Sequence, residues 1–573
     1  LLNLSEKIKI LDGKPIADYH RLCGIYTERG INYRIRKISG AGTKYCQIDI
    51  GIPLEMLVGG HEVRANDRTA AASYILRDFI VAAHIANEEL NQSETKIDKG
   101  FFMVYKFGHK VVPNSLAVIQ NEKITLSLDV KMPSSTRMNM AGGYKKGKPS
   151  ASARGIISSK AVSILLHKNL LNLVEGFVER FDVERFNEEI DLYRDQQFIR
   201  SFLRKNGYVC FLGNGAILPR NGKTDYQSAK KSIPFVSPES LAVTISLPSG
   251  KSVRGMAIPR GVTVLIGDAY HGKSTILNAI QNGVYNHIKG DGREYVITDD
   301  TAQYITAEDG RSVKNTNISF FLSNLPVDTL NPYVFSTEGA SSSTSQAAAV
   351  AEAVEVGCKL MLFDEDRSAN NFLYKDAKIK SIIKNASTRP YLDNAPHFFA
   401  QFGISHIFVV GASGEYLKIA DTALLVDKFQ VTAFTDYEKE CDRAGIEAYA
   451  LPKTAERVVK FSALRSACLR RNVSIVNNDS VKIGGEVIRV TETIPNATYG
   501  QVAFVGLVLY RLAMWEEHNT LVKAMDMLYS KIHQDINILQ QSMLLGFDKI
   551  EYVRKFDMYK LIWRARLTNV QRS

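Results

Sequence analysis

Eight residues constrain this chain more than anything else in it: Gly267-Asp-Ala-Tyr-His-Gly272-Lys273-Ser274. They follow a β-branched run, Val262-Thr-Val-Leu-Ile266, and open into Thr275-Ile-Leu-Asn-Ala-Ile280. A G-x-x-x-x-G-K-S pattern between an expected strand and an expected helix is that of a phosphate-binding loop. Glycines at its ends let several backbone N–H groups approach phosphate oxygens at the positive end of the following helix. Gly267, Asp268, Ala269, Tyr270, His271, Gly272, Lys273, Ser274 and Thr275 are therefore the expected nucleotide-binding residues. Lys273 would reach the β- and γ-phosphates and the Ser274 hydroxyl would take one Mg²⁺ position, so ATP or ADP with Mg²⁺ is the expected cofactor set.

Downstream, Leu362-Phe363-Asp364-Glu365 ends a short apolar run with two carboxylates. Asp364 is placed to complete the metal site with Ser274. Glu365 is the natural general base for an attacking water. An isolated Asp-Glu pair at a strand end is usually just solvated; the phosphate loop upstream gives this one its meaning. Between the two motifs, Gly339-Ala-Ser-Ser-Ser-Thr-Ser-Gln346 leads into an alanine-rich helix expected over Ser345–Val356. Hydroxyls and small residues at a helix start form an anion-binding surface, where elsewhere they would read as a linker.

At 573 residues the chain is too long for one core. Residues 1–230 read as an α+β domain with basic loops, holding a helix over 71–90 and strands over 100–107 and 123–130. Residues 231–430 alternate strands (241–247, 262–266, 359–363, 406–410) with helices, which argues α/β with a buried parallel sheet. Residues 431–573 read as mainly helical, with one hairpin over 481–490 turning at Gly484-Gly485. The apolar run over 503–510 stops at Arg511, short of the ~20 residues of a spanning helix, so no membrane segment is expected. Six scattered cysteines without a C-x-x-C pair point to a reducing, intracellular compartment. A start at Leu1 is expected of a processed or trimmed product.

The net charge of +12 suggests a polyanionic partner. Between 131 and 160 stand Lys131, Arg137, Lys145, Lys146, Lys148, Arg154 and Lys160, with no acidic residue. Arg29, Arg34, Arg36, Lys37 and Lys44 cluster around Tyr33 and Tyr45, and a third basic stretch runs from Lys453 to Arg471. Binding through such elements is phosphate neutralisation, weakly sequence-specific and steeply salt-dependent. Interleaved tyrosines favour an unpaired strand, on whose bases they can stack. The competing reading is three separate solvated faces.

Phosphate loop, small-residue helix start and Asp-Glu strand, in that order, resemble ABC-type ATPases. Longer phrases are similar to the predicted ABC-class ATPases that lack transporter domains. These are Asn214-Gly-Ala-Ile-Leu-Pro-Arg220, Val284-Tyr-Asn-His-Ile-Lys-Gly-Asp-Gly-Arg-Glu294, Glu308-Asp-Gly-Arg-Ser-Val313, Asp364-Glu-Asp366 and Val410-Gly-Ala-Ser-Gly-Glu-Tyr416. The likeness is dense over 200–430, loose before it and faint after it. Within that group this basic chain resembles the kinetoplastid mitochondrial branch associated with RNA-editing complexes, which implies the mitochondrial matrix. The resemblance makes Ser343, Thr344, Ser345 and Gln346 the signature loop, acting in trans, and Ser368, Ala369 and Asn370 the D-loop. It places Ser413 where ordinary ABC ATPases carry a switch histidine, which implies slow turnover.

The function expected on these grounds is a homodimeric ABC-class ATPase that couples ATP binding and hydrolysis to nucleic acid, foremost single-stranded RNA within an RNA-processing complex. One rival is a nucleotide-gated scaffold that docks a protein complex with negligible turnover. Another is a small-molecule kinase, which leaves Ser343–Gln346 without a role.

Overall fold

The computed structural model describes residues 3–38, 45–92, 100–105, 107–134, 155–221, 232–323, 325, 330–436, 451, 456–470, 473–515, 520–541, 547, 549–566 and 569–572. The chain forms two compact units, residues 1–107 with 113–190, and residues 108–112 with 191–573. The boundaries expected at 230/231 and 430/431 thus both fall inside the second unit.

The first unit is built on an antiparallel sheet in the order Gly24–Glu28, Ile31–Ile38, Tyr45–Pro53, Lys123–Lys131 and Phe101–Phe102, with Ala117–Gln120 also pairing Lys123–Lys131. Of the strand expected over 100–107 only Phe101–Phe102 forms. Along Ile31–Ile38 the apolar residues alternate inward, so Ile31, Tyr33 and Ile35 are buried while Asn32 and Arg34 face out. The helix expected over 71–90 runs Arg68–Gln92. A further helical stretch, Ser159–Glu179, is by length and composition able to cross a membrane, and half of it is buried within the fold. The sequence reading missed it because Lys160, His167 and Lys168 interrupt the apolar run.

The second unit carries the functional elements. Its central sheet has six strands: β1 (Val262–Ile266), β2 (Gln303–Tyr304), β3 (Leu360–Asp364), β4 (Ser405–Val410), β5 (Thr422–Asp427) and β6 (Gln430–Ala433). Their order is β2-β3-β4-β1-β5-β6, parallel except for β6, which closes a hairpin with β5. The inner strands are apolar almost throughout because they are covered on both faces. Val264 lies opposite Phe408, Ile266 opposite Val410, and Asp364 opposite Val409. This register brings the loop after β1, the carboxylates ending β3 and the loop after β4 out at one edge of the sheet.

A second, antiparallel sheet runs Val296–Thr298, Tyr208–Gly213, Ser252–Pro259, Ala242–Ser246. Tyr208–Gly213 is paired on both sides, which binds residues 208–213 to this unit rather than to the domain preceding it. The C-terminal segment packs around helix Tyr499–Ala513, eleven of whose residues are buried. It is less helical than expected, since strands Val473–Val476, Ser480–Ile483 and Glu486–Arg489 form a small sheet; the last two make the expected hairpin at Gly484-Gly485.

Two ion pairs, one buried and one part-buried, fasten this segment to the central-sheet region. Arg457 pairs with Glu355 at 2.7 Å and its guanidinium lies 3.8 Å from the Trp563 ring centroid. Arg564 forks onto Glu308. Burial acts to raise the Glu308 pKa, but the Arg564 charge and hydrogen bonds overcome it and hold the carboxyl at about 2. The folded value lies below the ordinary 4.5, so this stabilisation is complete above pH 4.5 and is lost as the pH falls through about 2. Arg564→Met, which leaves the part-buried Glu308 to the Thr306 hydroxyl and the charges of Arg311 and Lys560, is expected to cost about 1–3 kcal/mol at neutral pH. Thermal melts should show the deficit shrinking as the pH is lowered below 4.5.

Candidate nucleotide site

The loop following β1 is shaped by its two glycines. A Cβ on Gly267 would lie 2.3 Å from the Val426 carbonyl oxygen, so only glycine lets the loop pass this close to β5. Gly272 caps helix α1 (Lys273–Asn282) with φ +106°, a left-handed conformation that side chains disfavour. Asp268, Ala269 and Tyr270 are exposed, and Tyr270 adopts φ +65°. The β5–β6 turn holds the loop from below: the Phe429 N–H donates to the His271 carbonyl at 3.1 Å, and His271 Nδ1 sits 2.8 Å from Asp427.

Lys273 Nζ folds back to donate to the Asp268 carbonyl at 2.7 Å and has no carboxylate partner among the described residues. Its charge is thus available to an anion at the loop mouth. The Ser274 hydroxyl donates to Asp364 Oδ2 at 3.2 Å. Burial raises the Asp364 pKa, partly offset by the Asp366 N–H and by Ser274. A hydroxyl and a desolvated carboxylate at this separation are hard oxygen donors that fit Mg²⁺. Thr275 is half-buried in the first turn of α1.

Glu365 lies across from the loop that follows β4. Its Oε2 accepts from the Gly411 and Ala412 N–H groups at 2.8 and 2.9 Å, and its Oε1 is buried without a partner among the described residues. A Cβ on Gly411 would be 3.7 Å from Lys273 Nζ, which places this loop beside the lysine. Ser413 accepts from the Glu415 N–H at 3.3 Å and caps the short helix Gly414–Ile419. The nearest histidine in sequence, His406, is no substitute switch. It is fully buried inside β4, burial pushes its pKa down to about 3, and it bonds the Tyr391 hydroxyl.

The Ser343–Gln346 segment begins helix α2 (Ser342–Glu355) and divides in two. Ser343 and Thr344 are partly exposed, but Ser345 and Gln346 are completely buried. Ser345 Oγ accepts from the Glu308 N–H at 2.9 Å. Gln346 is bound in cis to the segment expected as the D-loop: Nε2 donates to Ser368 Oγ at 2.8 Å and Oε1 accepts from the Ala369 N–H at 2.9 Å. Ser368 Oγ donates in turn to the Asp364 carbonyl at 2.8 Å. Of the four residues expected to act in trans, Ser345 and Gln346 are thus turned into the fold, while Ser343 and Thr344 keep part of their surface. Asn370 is exposed at the start of the helix Asn370–Leu373. Gln346→Ala would orphan the Ala369 N–H and loosen the D-loop, with an expected loss of about 1–3 kcal/mol in chemical denaturation.

Sequence reasoning missed the Gly411 and Ala412 N–H groups, because backbone donors leave no side-chain signature. It also missed Asp427 beneath His271, which an apolar strand ending in an acid hints at. The sequence offers Tyr226 and Phe235, by position alone, as residues that could stack on adenine; Phe235 is buried and Tyr226 lies outside the described residues.

The basic residues of the first unit do not all stand free. Arg29 pairs with Glu175 at 3.2 Å and Arg36 with Asp49 at 2.8 Å. Lys131 lies over the Phe101 ring, and Arg34 and Lys160 are exposed. Tyr33, expected to stack on bases, is buried, with its ring centroid 5.7 Å from that of Tyr26. Lys44, Arg137, Lys145, Lys146, Lys148 and Arg154 lie outside the described residues, as does the Lys37 side chain.

Residues 182–460 match the P-loop domain of the ABC_ATPase family model. An uncharacterized protein of Methanocaldococcus jannaschii is 32% identical over 215 residues, 36% of this chain and 47% of that protein. The chain thus spans about half the length of the curated relative it matches. Among solved structures, cbiO1 from Clostridium perfringens, part of the ABC transporter complex cbiONQ, is 14% identical; the match covers 39% of this chain and 87% of that one, with a TM-score of 0.24. A nucleotide-free ATP-binding cassette from an ABC transporter is 11% identical, with 43% of this chain and all of that one covered, at a TM-score of 0.25. Residues 182–460 hold an ABC-type P-loop ATPase domain.

Proposed function

We propose, from an ABC-type P-loop ATPase domain at residues 182–460, that the chain binds ATP with Mg²⁺ and hydrolyses it slowly, as a homodimer whose nucleotide state controls contact with nucleic acid. The observation that carries the reading is convergence. An ammonium without a carboxylate partner among the described residues, a Ser–Asp oxygen pair and a carboxylate leave the same edge of one sheet.

Each residue has a distinct task. Lys273 would exchange the Asp268 carbonyl for phosphate oxygens, and the loop N–H groups would take the remaining ones. Ser274 and Asp364 would hold Mg²⁺, which when bound offsets the charge of the phosphates. Glu365 would leave the Gly411 and Ala412 N–H groups to orient a water and take its proton. Ser343 and Thr344, at the positive end of a fourteen-residue helix, would approach the phosphates held by a second copy. One nucleotide unit per chain then calls for a two-fold dimer.

The nucleic-acid partner would be single-stranded RNA, held at the exposed Arg34 and Lys160 and the basic segment over 131–160. The resemblance to a mitochondrial branch points to RNA processing or editing in the matrix. A second reading, a nucleotide-gated scaffold, is favoured by one observation: the Ser413 hydroxyl is occupied as a helix cap, and no charged switch group stands there.

Light scattering of Glu365→Gln in ADP and in Mg-ATP tests the dimer. A monomer mass in ADP and a dimer mass in Mg-ATP are expected. Monomers in both would remove the trans role of Ser343 and Thr344.

A further inference from the structure

Away from the phosphate loop, the second unit has a cavity of about 620 Å³ whose polar lining is Arg311, Ser312, Arg489, Arg564 and Arg566 together with the carboxylates of Glu308, Glu486 and Glu492. That volume lies within the range of small-molecule sites. The cations around it are unequally satisfied. Arg564 is engaged with Glu308, and Arg489 with Glu492 at 3.5 Å. The Arg566 guanidinium reaches only the Gly310 and Glu338 carbonyls, at 3.5 and 3.4 Å, and meets no carboxylate among the described residues. Arg311 is 8% exposed and bonds Glu352 through Nη2, while its Nε and Nη1 are buried without an acceptor among the described residues. The Ser312 hydroxyl, also buried, has no partner among the described residues. Buried polar groups are nearly always paired, so orphaned donors on two adjacent residues beside one cavity call for an acceptor that arrives from outside.

We infer that this cavity binds a small phosphate-bearing molecule, its phosphate held by Arg311, Ser312 and Arg566. Guanidinium forks match the oxygens of a phosphate in pairs, and a hydroxyl supplies a further donor. The space beyond them suits a body the size of a sugar.

The site is wired to the nucleotide-binding elements through α2. The Glu308 N–H donates to Ser345 Oγ, and Arg311 grips Glu352; both acceptors lie on α2. The same helix holds the D-loop through Gln346. A ligand that draws Arg311 toward the cavity therefore bears on the helix that carries Ser343 and Thr344.

Isothermal titration of the full chain carrying Lys273→Ala, in which the phosphate loop is disabled, isolates this site. Ribose 5-phosphate is the probe, with ribose and inorganic sulfate as separate arms. Saturable binding of ribose 5-phosphate is expected, with none of ribose and weaker binding of sulfate. Arg566→Glu should weaken it about tenfold or more and Ser312→Ala about threefold. The Arg566 guanidinium is exposed and meets no carboxylate among the described residues, but the Arg566 backbone N–H donates to Glu486 Oε1, so Arg566→Gln, which adds no charge beside Glu486, is the control variant and should melt at the parent temperature. No saturable heat up to about 10 mM probe would overturn the proposal. So would affinity unchanged in both Arg566→Glu and Ser312→Ala, or sulfate binding as tightly as the probe, which would mark an adventitious ion only.

Discussion

Glu365→Gln is expected to lower ATP turnover by about 10²–10⁴-fold, the range for loss of a general base, while ATP affinity changes little. The amide preserves the shape of the side chain and can still accept from the Gly411 and Ala412 N–H groups through its oxygen. What it loses is the ability to take a proton from water. Phosphate release and equilibrium ATP binding, measured on the same preparation, separate the two effects. Turnover within tenfold of the parent would remove Glu365 from the chemistry. It would then leave Glu365 as a brace for the loop after β4.

Lys273→Ala should act at the earlier stage and weaken ATP binding by about 100-fold or more, because charge-assisted bonds to phosphate each contribute roughly 1.5–3 kcal/mol. Folding should survive, since among the described residues the Lys273 side chain bonds only the Asp268 carbonyl of its own loop. Equilibrium binding of a fluorescent ATP analogue, with a melt as control, reads both. Affinity unchanged in a folded variant would mean that the loop does not hold phosphates through this lysine. The contrast between the two substitutions is itself diagnostic: one should spare binding and remove turnover, the other should remove both.

The parts of the site legible in the sequence are those with a local cause. A strand covered on both faces must be apolar, so β1, β3 and β4 stand out as runs, and the motifs at their ends follow in place. What escaped was set by partners distant in the chain. Tyr208–Gly213 gains its neighbours from residues 252–259 and 296–298, and nothing in its own composition announces them. Gln346 reads as a surface residue after a run of serines, yet α2 is buried nearly all round, and its fourth and fifth side chains already face inward. Arg457 reads as one more cation in a basic stretch and is instead a buried link between Glu355 and Trp563. Tyr33 was open to a better reading, because Ile31, Tyr33 and Ile35 alternate with polar residues at the strand period.

The most direct test of the whole account is steady-state phosphate release by the intact chain in Mg-ATP, titrated with single-stranded RNA at low salt. The account predicts slow, Mg²⁺-dependent turnover that RNA stimulates, with the stimulation lost as salt is raised. Turnover absent at every RNA concentration, from a chain that still binds ATP, would contradict it and leave a nucleotide-gated scaffold.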